Sequence, residues 1–209
     1  MSLTILVTGF GPFPGAAFNP TGPLAERVTR ARRPALADVK IVAHVFPTSY
    51  AAVDREFPAL IAKHKPDALL MFGLAPRARE LRVETRARNA LALSPDAGGA
   101  SLGRRAIAMG EPASIKLRTP ARPLLAALRG LRPRAILSRD AGRYLCNYLC
   151  WRAAETASTG TGPRLATFIH VPPVRRGPRR NRDKALASLN GLTVAGARAL
   201  IALVAAARR

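Results

Sequence analysis

The chain has 209 residues, of which 48% are hydrophobic, and this suffices for one domain with a substantial core. Its formal net charge of +22 at pH 7 predicts salt-sensitive adhesion to polyanions. Only 5% of the residues are aromatic, and no nucleic-acid-binding motif is present, so we expect no specific nucleic-acid partner.

In chain order, apolar strand-like segments alternate with amphipathic helix-like segments. The predicted strands are 3–8, 40–46, 68–72, 134–138 and 165–170. The predicted helices are 21–32, 50–64, 121–130, 145–157 and 189–207. This alternation predicts a single α/β domain over residues 1–209, with a twisted, mostly parallel central sheet and helices on both faces. The stretch 74–118 is irregular, and we expect an extra hairpin there.

The terminus and the cysteines indicate the compartment. The N-terminus lacks the basic segment of a signal peptide, and no apolar run approaches the ~20 residues of a membrane-spanning helix. The 2 cysteines, Cys146 and Cys150, are too close together to form a disulfide framework, which favours a reducing compartment. We therefore expect a cytoplasmic protein with no membrane partner.

A glycine-containing turn places Cys146 at the start of a predicted helix. Residues 138–147 read Ser-Arg-Asp-Ala-Gly-Arg-Tyr-Leu-Cys-Asn, between a strand-like and a helix-like segment. Unpaired N–H groups and the helix dipole favour a thiolate there, which makes Cys146 a candidate nucleophile. The alternative is a small buried hydrophobe, which is the commoner role of a free cysteine. Cys150 is expected to face the core, and Cys-x3-Cys without a second pair is a weak metal-ligand set.

The chain contains 3 histidines, and they differ in context. His170 ends the apolar run 165–170 and opens into a proline-rich loop, a usual place for an active-site residue of an α/β protein. We expect the basic part of that loop, 172–182, to lie near the active site. His64 is expected to be a solvated residue at a helix C-terminus, and His44 to pack or hydrogen-bond within a strand.

Four segments together carry a resemblance to a known family. They are Ser138-x-x-Ala-Gly-x-Tyr-x-Cys-Asn147, the run Phe-Ile-His-Val-Pro at 168–172, the run Val-Thr-Gly-Phe-Gly-Pro-Phe at 7–13, and Asn19-Pro20. In order, spacing and length the chain resembles the pyroglutamyl peptidase I family, also called pyrrolidone-carboxylate peptidases, which are cysteine peptidases. The resemblance covers nearly the whole chain.

The resemblance implies removal of an N-terminal pyroglutamyl residue from a peptide substrate, without a metal or another cofactor. It makes Cys146 the nucleophile, His170 its base, and Glu84, by its distance from Asn89, the group that orients the imidazole. From the residues alone, without the family resemblance, Glu84 would be interpreted as a solvated glutamate among arginines. The resemblance also assigns substrate-binding positions, which are Phe10, Phe13, Leu74 and Tyr144. For the two phenylalanines, simple core packing is the alternative.

The chain departs from the family pattern in two segments. Leu74 replaces the family's usual glutamine, and Pro76-Arg77 replaces its glycine pair; the segment 91–99 also lacks the family's more acidic character. Proline restricts its own φ and that of the preceding residue, so we expect an altered pocket and weak turnover of pyroglutamyl substrates. The alternatives are the same fold with shifted specificity or lost activity, or a non-catalytic basic polyanion-binding protein. Family members often form tetramers, so the resemblance allows this chain to form a homo-oligomer.

Overall fold

The computed structural model describes residues 2–160, 162–174 and 187–209. From residue 175 onward, the predicted basic loop 172–182 lies outside the described residues. The strands are β1 Thr4–Phe10, β2 Lys40–Phe46, β3 Ala68–Leu74, β4 Leu81–Glu84, β5 Arg86–Arg88, β6 Ser114–Lys116, β7 Ala135–Ser138 and β8 Leu165–Val171. The helices are α1 Thr21–Thr29, α2 Tyr50–His64, α3 Ala121–Leu128, α4 Leu145–Ser158 and α5 Leu189–Ala207, with a 3-10 turn at Pro34–Leu36.

Six strands form the central sheet in the order β2-β1-β3-β8-β4-β7. The first four run parallel, β4 is antiparallel to β8, and β7 is parallel to β4. The predicted α/β fold with a mostly parallel sheet is therefore confirmed. The carboxyl ends of β1, β3 and β8 meet at one edge, where α/β proteins place their functional residues.

Helices cover both faces of this sheet, as predicted. On one face α1, α3 and α5 pack around Leu70 and Phe72; on the other α2 and α4 pack around Met71 and Phe168. Strands β1 and β3 are buried on both faces, which explains why they read as continuous apolar runs. Each large apolar side chain buried in this way stabilises the fold by about 1.5–3 kcal/mol.

Helix α5 is long and apolar enough to cross a membrane by length and composition alone, although Arg198 interrupts its apolar sequence. Half of that apolar window is buried inside the protein. Its inner face contributes Leu192, Leu200, Leu203 and Val204 to the core, against α1 and α3. Core burial therefore accounts for its apolar composition.

The stretch 74–118 contains more regular structure than the sequence indicated. It supplies β4 to the central sheet. It also forms an antiparallel β5–β6 ribbon, whose two strands are connected by the 25 residues from Asn89 to Ala113. The expected hairpin is thus a ribbon with a long connection, and β4 was missed. Leu81 and Val83 of β4 face the core on one side, while Arg82 and Glu84 face the other side of the sheet. Only four residues alternate, and two of them are charged, so the period-two pattern was too short to identify.

Candidate active site

A cleft of about 340 Å³ opens at the carboxyl edge of the parallel strands. Its walls come from the loop after β1, the β3–β4 turn, β4, the β7–α4 turn and the end of β8. Six of the seven predicted site residues line it, namely Phe10, Phe13, Leu74, Tyr144, Cys146 and His170. The seventh, Glu84, is fully buried behind His170.

Cys146 is the second residue of α4, as the glycine-containing turn predicts. The turn is held by the Gly142 N–H, which donates to Asp140 Oδ1 at 3.0 Å, and Gly142 adopts a φ of 82° that favours glycine. Tyr144 caps the helix, and its carbonyl accepts the Tyr148 N–H at 2.9 Å. Cys146 is therefore in the first helical turn, where backbone N–H groups lack intrahelical acceptors.

His170 and Glu84 meet because their strands are antiparallel neighbours. Glu84 of β4 lies opposite Phe168 of β8, so His170 is its diagonal neighbour on the same face of the sheet. The Nδ1 atom of His170 lies 2.9 Å from Glu84 Oε1, and the two side chains are 8% and 0% exposed. With Nδ1 donating to the carboxylate, Nε2 is left for Cys146, whose side chain is hydrogen-bonded to this imidazole.

The electrostatic setting of His170 favours the imidazolium. Burial lowers the pKa of His170, but the charge and hydrogen bond of Cys146, together with those of Glu84, raise its pKa to about 9. A protonated imidazole next to a sulfur at a helix N-terminus is the arrangement that activates a cysteine nucleophile. Glu84, His170 and Cys146 thus form one continuous series of contacts, from the carboxylate through the imidazole to the sulfur.

Gly73 makes the close approach of these groups possible. It lies opposite His170 in the parallel β3–β8 register. A Cβ at this position would lie 2.7 Å from Cys146 Sγ and 2.6 Å from the Phe168 ring. Only glycine leaves room here for both the sulfur and the ring that packs under the imidazole, since the Phe168 and His170 ring centroids are 4.9 Å apart.

Asn147 connects the helix that carries Cys146 to the chain that follows Glu84. Its buried amide accepts the Arg88 N–H at 2.8 Å and donates to the carbonyls of Arg88 and Ala90 at 2.8 and 3.0 Å. Since β5 follows β4 after one residue, these bonds fix the carboxylate strand relative to the nucleophile helix. Asn147 was part of the motif that carried the resemblance, but it was not singled out as a site residue.

The predicted substrate-binding residues occupy different parts of the cleft wall. Phe10 is only 2% exposed and packs against Phe46 at a centroid distance of 6.0 Å, so it belongs to the core and to the cleft at once. Phe13 lies on the loop after β1, and Leu74 is the last residue of β3. Tyr144 donates its hydroxyl to the carbonyl of Pro95 at 3.1 Å, which joins the cleft to the segment 91–99.

The loop that departs from the family pattern forms a regular turn. The Ala78 N–H donates to the Ala75 carbonyl at 3.0 Å, which makes Pro76 the second residue of a β-turn, a position that favours proline. The Ala75 N–H donates to the Val171 carbonyl at 2.9 Å, so the turn is attached to the strand of His170. Leu74, Ala75 and Pro76 all line the cleft.

The segment 91–99 is organised by Asp96. This buried carboxylate accepts the backbone N–H groups of Tyr50, Gly98 and Ala100 at 3.0, 2.9 and 3.0 Å. Burial raises the pKa of Asp96, but these hydrogen bonds outweigh it and lower the pKa overall. Asp96 therefore fixes the segment to the N-terminus of α2, next to Tyr144.

The remaining histidines and the second cysteine lie away from the cleft wall. His44 Nε2 is 2.9 Å from Glu56 Oε2, and His64 is the last residue of α2. Cys150 is fully buried in the core, and burial, followed by the charges of Glu84 and Cys146, raises its pKa well above the usual value. Within the described ranges, no cluster of three or more His, Cys, Asp or Glu side chains could hold a metal ion.

Among the other residues that line the cleft, Asn19, Thr48 and Arg82 were not identified as site residues from the sequence. Asn19 Nδ2 and Thr48 Oγ1 both donate to the Gly11 carbonyl, at 3.0 and 3.1 Å. Asn19 lies in the Asn19-Pro20 segment that carries the family resemblance, and this resemblance is the signal that could have identified it. Arg82 carried none, because its strand was not recognised.

Known proteins are similar to this chain over most of its length. The pyroglutamyl peptidase family model matches residues 3–209. The pyrrolidone-carboxylate peptidase of Pyrococcus furiosus is 30% identical over 171 residues, 81% of each chain. That of Bacillus subtilis is 29% identical over 208 residues, 99% of this chain and 94% of its own.

Two solved structures have the same fold over nearly the whole chain. A mutant pyrrolidone carboxyl peptidase from Pyrococcus furiosus superposes with a TM-score of 0.82 at 27% identity, covering 96% of this chain and 98% of its own. Pyroglutamyl peptidase I of Bacillus amyloliquefaciens superposes with a TM-score of 0.81 at 25% identity, covering 97% of both chains.

Proposed function

Because the chain belongs to the pyroglutamyl peptidase family, we propose that it removes N-terminal pyroglutamyl residues from peptides, with Cys146, His170 and Glu84 as its catalytic groups. The observation that carries the proposal is the continuous chain of contacts from Glu84 through His170 to Cys146, at the head of α4 and facing the cleft. A carboxylate that is fully buried and bonded to an imidazole has a specific partner, unlike the solvated glutamate considered from the sequence.

In the proposed reaction, the Cys146 sulfur attacks the carbonyl carbon of the pyroglutamyl residue and forms a carbon–sulfur bond. The developing oxyanion is stabilised by backbone N–H groups in the first turn of α4. The protonated His170 then gives its proton to the leaving amine, and the carbon–nitrogen bond breaks. A pyroglutamyl thioester remains on Cys146.

Hydrolysis of the thioester completes the cycle. Neutral His170 takes a proton from a water molecule, whose oxygen attacks the thioester carbonyl, and the sulfur leaves as a thiolate. Glu84 accepts the Nδ1 hydrogen bond throughout, which holds the imidazole in the required orientation and stabilises its charged form. Phe10, Phe13 and Leu74 supply apolar surface for the lactam ring, and Tyr144 supports the wall beside Cys146.

The β-turn at Pro76 supports retention of this reaction despite the departures of the 74–78 loop. Its backbone is regular and its hydrogen bonds are complete at Ala75 and Ala78, so the expected loss is in ring binding rather than in the catalytic groups. The free state of both cysteines agrees with a reducing, cytoplasmic location.

The test is hydrolysis of a pyroglutamyl-aminomethylcoumarin substrate by the wild-type protein and by Cys146→Ala and His170→Ala. We expect measurable turnover by the wild type, none by the cysteine variant, and a loss of several orders of magnitude in the histidine variant. A folded wild-type protein that releases no coumarin would favour the alternatives of shifted specificity or polyanion binding. Turnover that survives in Cys146→Ala would contradict the assignment of the nucleophile.

A further inference from the structure

Arg82 brings a positive charge into the cleft directly beside His170. The two residues lie opposite each other in the antiparallel β4–β8 register, so their side chains share one face of the sheet. Both line the cleft. The proposed reaction leaves Arg82 without a role.

The guanidinium of Arg82 has donors that its surroundings do not use. Its Nε atom is buried and has no hydrogen-bond acceptor among the described residues. Its ion-pair partner Glu80 is 4.0 Å from Nη2, and the same carboxylate also lies 3.9 Å from Nη2 of Arg134. This weak, shared pairing leaves a desolvated N–H group that an incoming oxygen would satisfy.

The other charged groups of the cleft do not compete for this cation. Asp140 also lines the cleft, and it forms an ion pair with Arg88 at 3.1 Å. Glu84 is buried behind His170 and bonded to it. Arg143 also lines the cleft and adds positive charge. The two arginines attract an anionic group of a ligand into the cleft, and Arg82 offers it a buried N–H donor that lacks an acceptor among the described residues.

We propose that Arg82 binds a carboxylate of the leaving peptide, immediately after the scissile bond. This inference rests on the proposed function: His170 protonates the leaving amine, so the chain that continues from that amine passes the residue beside His170. The apolar side chains Phe10, Phe13 and Leu74 are then left to the lactam ring. The Nε and Nη donors of a guanidinium match the two oxygens of a carboxylate, which gives a bidentate and specific contact.

The carboxylate has two sources, the α-carboxylate of a pyroglutamyl dipeptide or an acidic side chain next to the scissile bond of a longer peptide. Steady-state kinetics with two matched substrate pairs distinguish them. The first pair is pyroglutamyl-alanine and its amide, and the second is pyroglutamyl-glutamate amide and pyroglutamyl-glutamine amide. We expect the wild type to prefer the carboxylate member of at least one pair by on the order of 10- to 100-fold in kcat/KM, mainly through KM.

In Arg82→Gln this preference should fall to about 1. Arg82→Lys should restore part of it, because the charge returns without the planar fork. Arg122→Gln removes an equivalent charge from an exposed position on α3 and should keep the wild-type preference. Thermal unfolding of each variant shows whether it is folded.

Direct binding separates this inference from the hydrolytic function. The same four peptides are titrated calorimetrically into Cys146→Ala, with and without Arg82→Gln. Tighter binding of a carboxylate peptide that depends on Arg82 supports the inference, even if the wild type hydrolyses none of the four. Equal binding of both members of each pair, or a preference that survives Arg82→Gln, overturns it, even where hydrolysis is normal.

Discussion

Replacing Gly73 with alanine adds a single methyl group at the most confined point of the site. The new Cβ would lie 2.6 Å from Phe168 Cζ and 2.7 Å from Cys146 Sγ, both closer than real Cβ contacts allow. Because Phe168 is fully buried, the sulfur must move or the strands must separate. Overpacking of this kind costs about 1–3 kcal/mol of stability.

The larger effect is expected on catalysis. A shift of the sulfur by a sizeable fraction of an ångström disturbs its contact with His170, and misplacement of about 1 Å costs on the order of 100-fold in rate. The assay is kcat/KM for a pyroglutamyl-coumarin substrate, with the free energy of unfolding measured in urea. Gly11→Ala is the matched control, since its Cβ would meet only the Phe46 carbonyl oxygen, at 3.7 Å. Wild-type activity in a folded Gly73→Ala variant would refute the packing of the sulfur against this strand.

Four other predictions follow from the same contacts. Iodoacetamide at neutral pH should label Cys146 well before Cys150, which is fully buried and has a raised pKa; peptide mapping showing equal rates would contradict this. Glu84→Gln should lower kcat by roughly 100- to 10,000-fold, because an amide can donate to Nδ1 and select the wrong tautomer; activity near wild type would exclude the orienting role. The pKa of His170 is raised from 6.5 to about 9, so its contribution to stability is complete below about pH 6.5 and is lost as the pH rises through about 9. The difference in unfolding free energy between wild type and His170→Gln, measured in urea, should shrink over that interval. A growing difference would contradict the assignment of His170 as protonated in the folded state. Asn147→Ala removes three hydrogen bonds and should lower the unfolding free energy by about 2–4 kcal/mol; a loss below about 0.5 kcal/mol would show that these hydrogen bonds do not hold α4 and β5 together.

The sequence predicted the elements whose patterns are long and local. The strands β1, β3 and β8 are buried apolar runs, the edge strand β2 is largely apolar, and the helices show clear periodicity, so their positions agree closely with the structure. The predicted helices 21–32 and 121–130 end earlier, at Thr29 and Leu128; Pro34 follows the first helix, and Gly130, with a φ of 76°, follows the second. Local patterns also place Cys146 at a helix start and His170 at a strand end.

Local sequence patterns could not predict the contacts between segments that are far apart in the chain. Glu84 was identified only by the family resemblance, since nothing in its neighbourhood indicates that β4 lies antiparallel to β8 and brings it to His170. Arg82 was missed for the same reason. The three bonds of Asn147 likewise depend on a register that joins residues 57 to 59 positions apart.

Mass spectrometry of an acid-quenched reaction is the most direct test of the catalytic assignment. The wild-type protein is mixed with a pyroglutamyl-coumarin ester or amide, quenched within the first turnovers, digested and mapped. The proposed mechanism predicts a pyroglutamyl thioester on Cys146 that is absent in Cys146→Ala and that accumulates when Glu84→Gln slows its hydrolysis. Substrate turnover with an adduct on another residue, or the absence of both turnover and adduct in folded protein, would contradict the assignment of Cys146 as the nucleophile of a pyroglutamyl peptidase.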